Sequence, residues 1–294
     1  MLSRIFHLHA LSALHVGTGQ GIGVVDLPIA RATATNLPIV AGSALKGVLR
    51  DEKSKLGLDD KQVTTLFGPD NTIEISHAGA LAFGDAHLLI LPIRSFSGTT
   101  AFATCPFVLR QYARDLGLSV TIPNLSDSAG VVEASKLLIG TTQQVALEDL
   151  DIQANHNGTI GTWAETIAKQ LYPESAMDSE AWQAEFKSRF IVLPDNIFSF
   201  LADTATEVRT RIRIDNDTRT IKAGALWSEE NLPAESILWG VMGIGNAKDT
   251  SKQTAQQLSE LLSKNELMIQ VGGKHTVGRG LCRFILNDSS STQA

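Results

Sequence analysis

A single acidic side chain lies in a glycine-rich stretch near the start of the chain. Asp26 occurs in GVVDLPIAR, residues 23–31, and has no carboxylate or cysteine close to it in the sequence. A carboxylate on a loop can hold a divalent metal ion or accept a proton from a hydroxyl group. It can also hydrogen-bond the backbone of a turn before Pro28, and the residues alone favour this structural role.

The glycines that precede Asp26 alternate along the chain at Gly17, Gly19, Gly21 and Gly23. They do not form a dinucleotide-binding fingerprint, because Ile22 occupies the position of its last glycine, and no G-K-[ST] is present to form a P-loop. Backbone N–H groups of such a loop can approach phosphates closely, since glycine has no side chain. A flexible surface loop explains the pattern equally well.

Three histidines occur just before these glycines. His7 and His9 share one face of a predicted strand, and a pair without a third ligand is more typical of structural histidines than of a metal site. His15 differs because it ends the strand at the glycine stretch. An imidazole at that place can accept or donate a proton near neutral pH.

Basic residues recur on one face of a predicted helix in GSALKGVLR. Lys46 and Arg50 are four residues apart and therefore share a face, opposite an apolar stripe. Ser43 is a suitable N-cap, and the free N–H groups of the first turn could bind an anion beside it. From the residues alone, an ordinary solvated helix face is the favoured interpretation.

A second basic group lies on a predicted hairpin in EVRTRIRIDNDTRTIKAGALWSEE, residues 207–230. Arg209, Arg211 and Arg213 alternate with apolar residues, so that a strand places them on one side. DND at 215–217 supplies a turn, and the returning strand adds Arg219 and Lys222. This spacing favours contact with a nucleic-acid backbone, although a charged outer face that blocks aggregation is the alternative.

The third basic group is GGKHTVGRG, residues 272–280, which we name the C-terminal glycine loop. Glycines, Gly273 among them, bracket Lys274 and Arg279 between two predicted strands. The loop could bring its backbone close to a phosphate, or it could be a tight hairpin without a function.

The elements that must position these residues alternate between strands and helices. The pattern predicts strands at 2–11, 79–91, 100–105, 267–273 and 281–286, and helices at 42–57, after Pro106 and at 250–265. Residues 118–200 are less regular, with helical patches near 161–190, and are interpreted as an insertion. The order indicates an α+β fold with a ferredoxin-like core.

The composition excludes several classes of protein. The chain has 294 residues, 43% of them hydrophobic, and a net charge of -6, so any nucleic-acid binding depends on local basic patches. Two cysteines form neither a disulfide framework nor a zinc site, which favours the cytoplasm. No stretch reaches the ~18 apolar residues of a membrane span, and we expect no membrane partner.

Four stretches together resemble the RAMP-superfamily CRISPR proteins: LHVGTGQGIGVVDLPIAR, LPIVAGSALKGVLR, RIRIDNDTRTIKAGALWSEENLP and GGKHTVGRG. Within that superfamily they look like the repeated backbone subunit of the type III-B (Cmr) effector complex. The resemblance implies a single RAMP domain over residues 1–294, with a ferredoxin-like (RRM-like) palm, an insertion at about 118–200 and a β-hairpin thumb at about 203–230.

The resemblance also implies a function. Copies of the subunit would stack along a CRISPR guide RNA with other Cmr subunits and cleave target RNA at regular intervals. Asp26 would be catalytic and would hold a divalent metal ion, Mg²⁺ or Mn²⁺, with His15 and Glu229 beside it. The guide RNA would be bound by the glycine stretches and basic groups, namely Gly17, Gly19, Ser43, Lys46, Arg50, Arg209, Arg211, Arg213, Gly273, Lys274 and Arg279.

The sequence departs from this family at two places. His275 stands where the family often has a glutamate, and Asn231 stands where a tyrosine often follows the paired glutamates. Two other functions stay open: a guide-binding scaffold subunit without catalysis, and a stand-alone ribonuclease that processes CRISPR transcripts.

Overall fold

The computed structural model describes residues 1–19, 21, 25–69, 77–174, 176–215, 217–262 and 266–287. The strands are β1 Leu2–Ala10, β2 Ile39–Val40, β3 Leu81–Phe83, β4 Ala86–Arg94, β5 Thr100–Thr104, β6 Ala129–Val131, β7 Gln144–Leu147, β8 Leu150–His156, β9 Phe190–Val192, β10 Glu207–Ile214, β11 Ile221–Asn231, β12 Ile237–Ile244, β13 Glu266–Gln270 and β14 Leu281–Leu286. The helices are α1 Gly42–Asp51, α2 Lys53–Leu56, α3 Asp60–Phe67, α4 Pro106–Leu116, α5 Gly158–Leu171, α6 Ser179–Ser188, α7 Asp195–Thr204 and α8 Ala255–Leu261. Gly23, Asn216 of the predicted turn, residues 263–265 of the last predicted helix and the polar tail 288–294 lie outside the described residues.

The fold is α+β, as predicted. In the described part of the chain, twelve strands form one mixed sheet, and ten of them run in the order β13-β14-β1-β12-β4-β5-β9-β6-β8-β7. The short strands β2 and β3 pair with β4 and β12. The neighbours β14, β1, β12 and β4 are antiparallel throughout. The strands β10 and β11 form a separate two-stranded hairpin.

The strand predicted at 2–11 is confirmed as β1, which lies inside the sheet and is covered on both faces. Phe6 stacks on Phe284 on one face, with ring centroids 5.3 Å apart. On the other face the His7 ring bonds Tyr112 of α4 at 2.8 Å, and burial lowers the pKa of His7 to about 4. His9 bonds Glu235 at 2.8 Å. The structural interpretation of both histidines is therefore confirmed.

The helix predicted at 42–57 is wrong as a single element, because the chain breaks at Glu52 into α1 and α2. Ser43 is not the N-cap. Ala41 occupies that position without a side-chain bond, and the N–H of Gly42 donates instead to Asp85 Oδ1 at 2.9 Å. The left-handed Gly57 ends α2, as predicted.

The hydrogen bond from Gly42 to Asp85 explains why the strand predicted at 79–91 divides into β3 and β4. Gly84 and Asp85 lie between the two strands, and Asp85 leaves the sheet to bond the start of α1. A local sequence pattern could not predict this division, because the partner of Asp85 lies 43 residues away.

The remaining predictions of elements hold in outline. The helix after Cys105 begins with Pro106 at its first turn, and both cysteines are buried free thiols. Two of the helices within 118–200, α5 and α6, match the predicted patches, and β9 pairs in parallel with β5, so this segment continues the main sheet. In the described residues no helix is long and apolar enough to cross a membrane.

The predicted hairpin is confirmed as β10 and β11, with Arg209 opposite Glu229, Thr210 opposite Ser228 and Arg211 opposite Trp227. Directly opposed residues point to the same side of an antiparallel pair. One face therefore combines the arginines with Trp227 and Glu229. The other face exposes the apolar side chains of Val208, Ile212, Ile214, Ile221 and Leu226.

Candidate active site

Residues 25–31, which we name the Asp26 loop, lie alongside β11 at the base of the hairpin. The N–H of Leu27 donates to the carbonyl of Ser228 at 3.1 Å, and the N–H of Glu230 donates to the carbonyl of Leu27 at 3.0 Å. The loop therefore pairs in parallel with β11 at the edge that β10 leaves open. This pairing places Asp26 beside Ser228.

The Asp26 carboxylate is exposed, and Ser228 holds it on one side. Its Oδ2 accepts hydrogen bonds from the N–H and from the hydroxyl of Ser228, both at 2.8 Å. The bond from the Ser228 backbone, followed by that from its hydroxyl, lowers the pKa of Asp26. No donor among the described residues bonds Oδ1. Asp26 thus presents an ionised carboxylate with one open oxygen.

Glu229 lies on the opposite face of β11 and is almost fully buried. Its carboxylate accepts hydrogen bonds from Trp227 Nε1 at 2.8 Å, Lys274 Nζ at 3.0 Å and Arg211 Nε at 3.2 Å. Burial raises the pKa of Glu229, but these three bonds outweigh it and bring the pKa to about 2. Glu229 therefore organises two cations and is a poor proton acceptor.

His15 is buried beside both glycine stretches. Its Nδ1 lies 2.7 Å from the carbonyl of Glu230, and the N–H of Gly273 donates to the carbonyl of His15 at 3.0 Å. A Cβ atom at Gly17 would lie 2.8 Å from Nε2 of His15, so a side chain there would displace the ring or the loop. No hydrogen bond joins His15 to Asp26 in the described parts of the chain.

Glu230, which the sequence analysis did not single out, ties the Asp26 loop to the hairpin. Its Oε1 accepts from Arg31 at 2.6 Å and from the hydroxyl of Thr206 at 3.0 Å. Its Oε2 accepts from the N–H of Ile29 at 3.0 Å. The buried carboxylate of Glu230 therefore joins the Asp26 loop to the residue before β10, and the backbone carbonyl of Glu230 bonds His15.

The hairpin arginines and the C-terminal glycine loop meet at this site. Lys274 bonds Glu229 and lies 5.9 Å from the centre of the Trp227 ring. Arg279 is buried, and its Nε has no hydrogen-bond partner among the described residues. Burial, and then the charge of Arg209, lower the pKa of Arg279. The geometry thus brings two of the three predicted basic groups together.

The basic residues of α1, Lys46 and Arg50, bond to backbone carbonyls instead of to the residues around Glu229. Lys46 Nζ donates to the carbonyl of Leu81 at 2.9 Å, and a guanidinium nitrogen of Arg50 lies 3.5 Å from the carbonyl of Pro69. Burial, followed by the charge of Arg50, lowers the pKa of Lys46. Both side chains are therefore half-buried and bonded to backbone carbonyls of neighbouring segments. Ser43 is exposed, as is Gly19, whose φ is 97°.

The described residues contain no group of three or more His, Cys, Asp and Glu side chains that could hold a metal ion. Asp26 offers one carboxylate oxygen, and Glu229 is already bound to two cations. Mg²⁺ is often held by one or two carboxylates together with water and substrate phosphates. Asp26 fits such a shared site, while a site formed by the protein alone is not present in these residues.

Sequence reasoning missed Ser228, Trp227, Glu230 and Arg31. Alternation along β11 does predict that Ser228 and Glu230 share one face and that Trp227 and Glu229 share the other. The sequence carries no signal that the Asp26 loop, about 200 residues earlier, would pair with this strand.

The chain belongs to the RAMP superfamily, whose family model matches residues 7–283. The predicted family is thereby confirmed. Among curated relatives, the CRISPR system Cmr endoribonuclease Cmr4 of Pyrococcus furiosus is 33% identical over 299 residues, which cover 98% of this chain and 97% of the relative. The CRISPR system CMR subunit Cmr4 of Saccharolobus solfataricus is 26% identical and covers 96% of both chains.

The chain is also similar to solved structures of Cmr4 and of a Cmr complex. The crystal structure of oligomeric Cmr4 from Pyrococcus furiosus superimposes with a TM-score of 0.74, at 26% identity and with 98% of each chain covered. A chain of the type III-B Cmr-beta complex, solved by cryo-EM with cognate target RNA, has the same fold with a TM-score of 0.73, at 19% identity and with 99% of each chain covered.

Proposed function

We propose that this chain is the repeated, guide-RNA-binding backbone subunit of a type III-B CRISPR effector and cleaves target RNA within it. The observation that carries the proposal is the exposed, ionised Asp26 carboxylate at the base of a basic hairpin. The near full-length similarity to a Cmr endoribonuclease supports it.

We further assign the whole chain, 1–294, to one RAMP domain with a ferredoxin-like palm. The order β14-β1-β12-β4, with α1 after β1 and α8 after β12, supports this topology. The thumb would be the hairpin region at about 203–230. The insertion would be the segment at about 118–200.

The basic groups would bind RNA through its phosphates and sugars, while base pairing between guide and target supplies sequence specificity. Lys274 and Arg211 keep further donors free beyond their bonds to Glu229. The Nε of buried Arg279 has no partner among the described residues and would gain one from a phosphate, which offsets the cost of burying it. Arg209 and Arg213 continue this surface along the thumb. Gly17, Gly19 and Gly273, together with Ser43, Lys46 and Arg50, complete the proposed contacts with the guide.

The reaction would use the nucleophile that RNA itself carries. The 2′ oxygen forms a bond to phosphorus while the bond from phosphorus to the 5′ oxygen breaks, and the 2′ proton leaves to a base. A thumb that distorts the duplex would allow the in-line geometry that a regular helix prevents. Nε2 of His15 would accept the 2′ proton, a water molecule would protonate the leaving 5′ oxygen, and Oδ1 of Asp26 stays open to hold a metal ion.

A divalent ion, Mg²⁺ or Mn²⁺, would be held by Asp26 together with RNA phosphate oxygens and water. When bound, it would neutralise negative charge that develops on the phosphate. The partners would be the guide RNA, target RNA, other copies of this chain and further Cmr subunits. We expect this assembly in the cytoplasm.

The test is cleavage of target RNA by the reconstituted complex containing wild type or Asp26→Asn, with and without Mg²⁺. We expect regularly spaced products with wild type, and none with Asp26→Asn although it binds RNA equally well. A target with 2′-deoxy sugars at the cleaved positions should resist wild type. Unchanged products with Asp26→Asn would leave the chain as a guide-binding scaffold. Cleavage of guide precursor by the isolated chain would instead support a processing ribonuclease.

A further inference from the structure

We propose that Ser228 is a positioning residue that fixes the Asp26 carboxylate in one rotamer and leaves Oδ1 facing the RNA. This inference rests on the proposed catalytic function of Asp26. The geometry is reciprocal: the Ser228 hydroxyl donates to Asp26 Oδ2 at 2.8 Å and accepts from the N–H of Asp26 at 3.0 Å. A hydroxyl group can do both at once, whereas a methyl group can do neither.

Two hydrogen bonds from Ser228 restrict the Asp26 carboxylate. The bond from the backbone N–H of Ser228 and the bond from its hydroxyl reach the same oxygen, Oδ2. Together they oppose rotation about the side-chain torsions of Asp26, and they occupy Oδ2 so that only Oδ1 is free to react. A carboxylate held in this way loses little conformational freedom when RNA arrives, which favours a rapid chemical step.

The hydroxyl of Ser228 is not needed to hold the Asp26 loop itself. Leu27 pairs with the backbone of β11 on both sides of Glu229, and the Glu230 carboxylate binds both Ile29 and Arg31. None of these bonds involves the hydroxyl. Removal of the hydroxyl should therefore leave the loop in place, while the Asp26 carboxylate and the Asp26 N–H each lose one hydrogen bond.

Two variants serve as matched controls. Ser228→Thr retains the hydroxyl, and a β-branched residue is well accommodated in a strand. Thr210→Ala removes a hydroxyl from the residue directly opposite Ser228 on β10, on the same face of the hairpin. If loss of any hydroxyl from this face of the hairpin slows cleavage, Thr210→Ala should slow it as well. If Ser228 acts by positioning Asp26, Thr210→Ala should have no effect.

The experiment measures single-turnover cleavage and RNA affinity of complexes reconstituted with each variant. We expect Ser228→Ala to lower the cleavage rate about tenfold or more while RNA affinity and melting temperature are unchanged. Ser228→Thr should restore the rate, and Thr210→Ala should match wild type.

The possible outcomes separate this inference from the proposed function. If Asp26→Asn abolishes cleavage and Ser228→Ala cleaves at the wild-type rate, the positioning role is overturned and the proposed function stands. If Ser228→Ala loses affinity or thermal stability in step with its rate, the residue is merely structural. If Asp26→Asn itself cleaves normally, the proposed function has failed first.

Discussion

Nδ1 of the His15 imidazole lies 2.7 Å from the backbone carbonyl of Glu230. A carbonyl oxygen can only accept a hydrogen bond, so Nδ1 must carry a proton. In the neutral ring, Nε2 is then the nitrogen with a free lone pair, and it lies against Gly17. The carbonyl of a residue in β11 therefore determines which nitrogen of His15 can exchange a proton with a substrate.

Gly17→Ala should disturb this arrangement without unfolding the chain. A Cβ atom at this position would lie 2.8 Å from His15 Nε2, so the ring must rotate or the loop must move. We expect a cleavage rate at saturating RNA that is at least about tenfold lower. The control is Gly47→Ala in α1, where a Cβ atom would meet no other atom within 4 Å. Equal rates for the two variants would remove His15 from the mechanism.

Glu230→Gln tests how the Asp26 loop is held. Three donors face the Glu230 carboxylate, so the amide group of Gln would place its own donor against Arg31, Thr206 or the Ile29 N–H. We expect the free energy of unfolding to fall by about 2–4 kcal/mol, measured by urea denaturation of the whole chain.

The control for Glu230→Gln is Glu165→Gln on α5, which removes an exposed ion pair with Lys169. That change should cost about 0.5 kcal/mol or less. If Glu230→Gln also lowers the free energy of unfolding by only about 0.5 kcal/mol, the Asp26 loop does not depend on the Glu230 carboxylate.

The sequence predicted those features that depend on residues close together in the chain, and it failed for features that depend on contacts between distant residues. Alternating residues predicted β1 and the hairpin, because a strand orients each side chain by its position alone. The N-cap of α1 was assigned wrongly, because the N–H of Gly42 is bonded by Asp85, which lies between β3 and β4. The family resemblance led to the prediction that Asp26 is catalytic. Its partner Ser228 was not found, since the loop and the strand are 202 residues apart.

Arg279→Gln should lower RNA affinity with little effect on the stability of the free chain. Among the described residues, Nε of the buried Arg279 has no hydrogen-bond partner, and repulsion from Arg209 and Arg211 is opposed by attraction to Glu207 and Glu229. RNA affinity should fall, and the slope of log affinity against log salt should decrease by about one.

The control for Arg279→Gln is Arg110→Gln, an exposed residue of α4, which should leave the salt slope unchanged. If Arg279→Gln and wild type have the same slope, Arg279 does not contact phosphate. If Arg279→Gln unfolds at a lower temperature than wild type, the guanidinium has a structural partner in the free chain.

Glu229 gives a prediction for the pH dependence of stability. Its pKa is lowered from 4.5 to about 2 in the folded chain. A carboxyl group with a depressed folded pKa stabilises the fold above its unfolded pKa, and this contribution is lost as the pH falls towards the folded value. Glu229→Gln should therefore lower the free energy of unfolding by about 3 kcal/mol at pH 7, the equivalent of the pKa shift. Urea titrations at pH 7, 4.5 and 3 should show this difference between wild type and variant shrinking as the pH is lowered. A difference that stays constant would mean that the bonds from Trp227, Lys274 and Arg211 do not depend on the charge of Glu229.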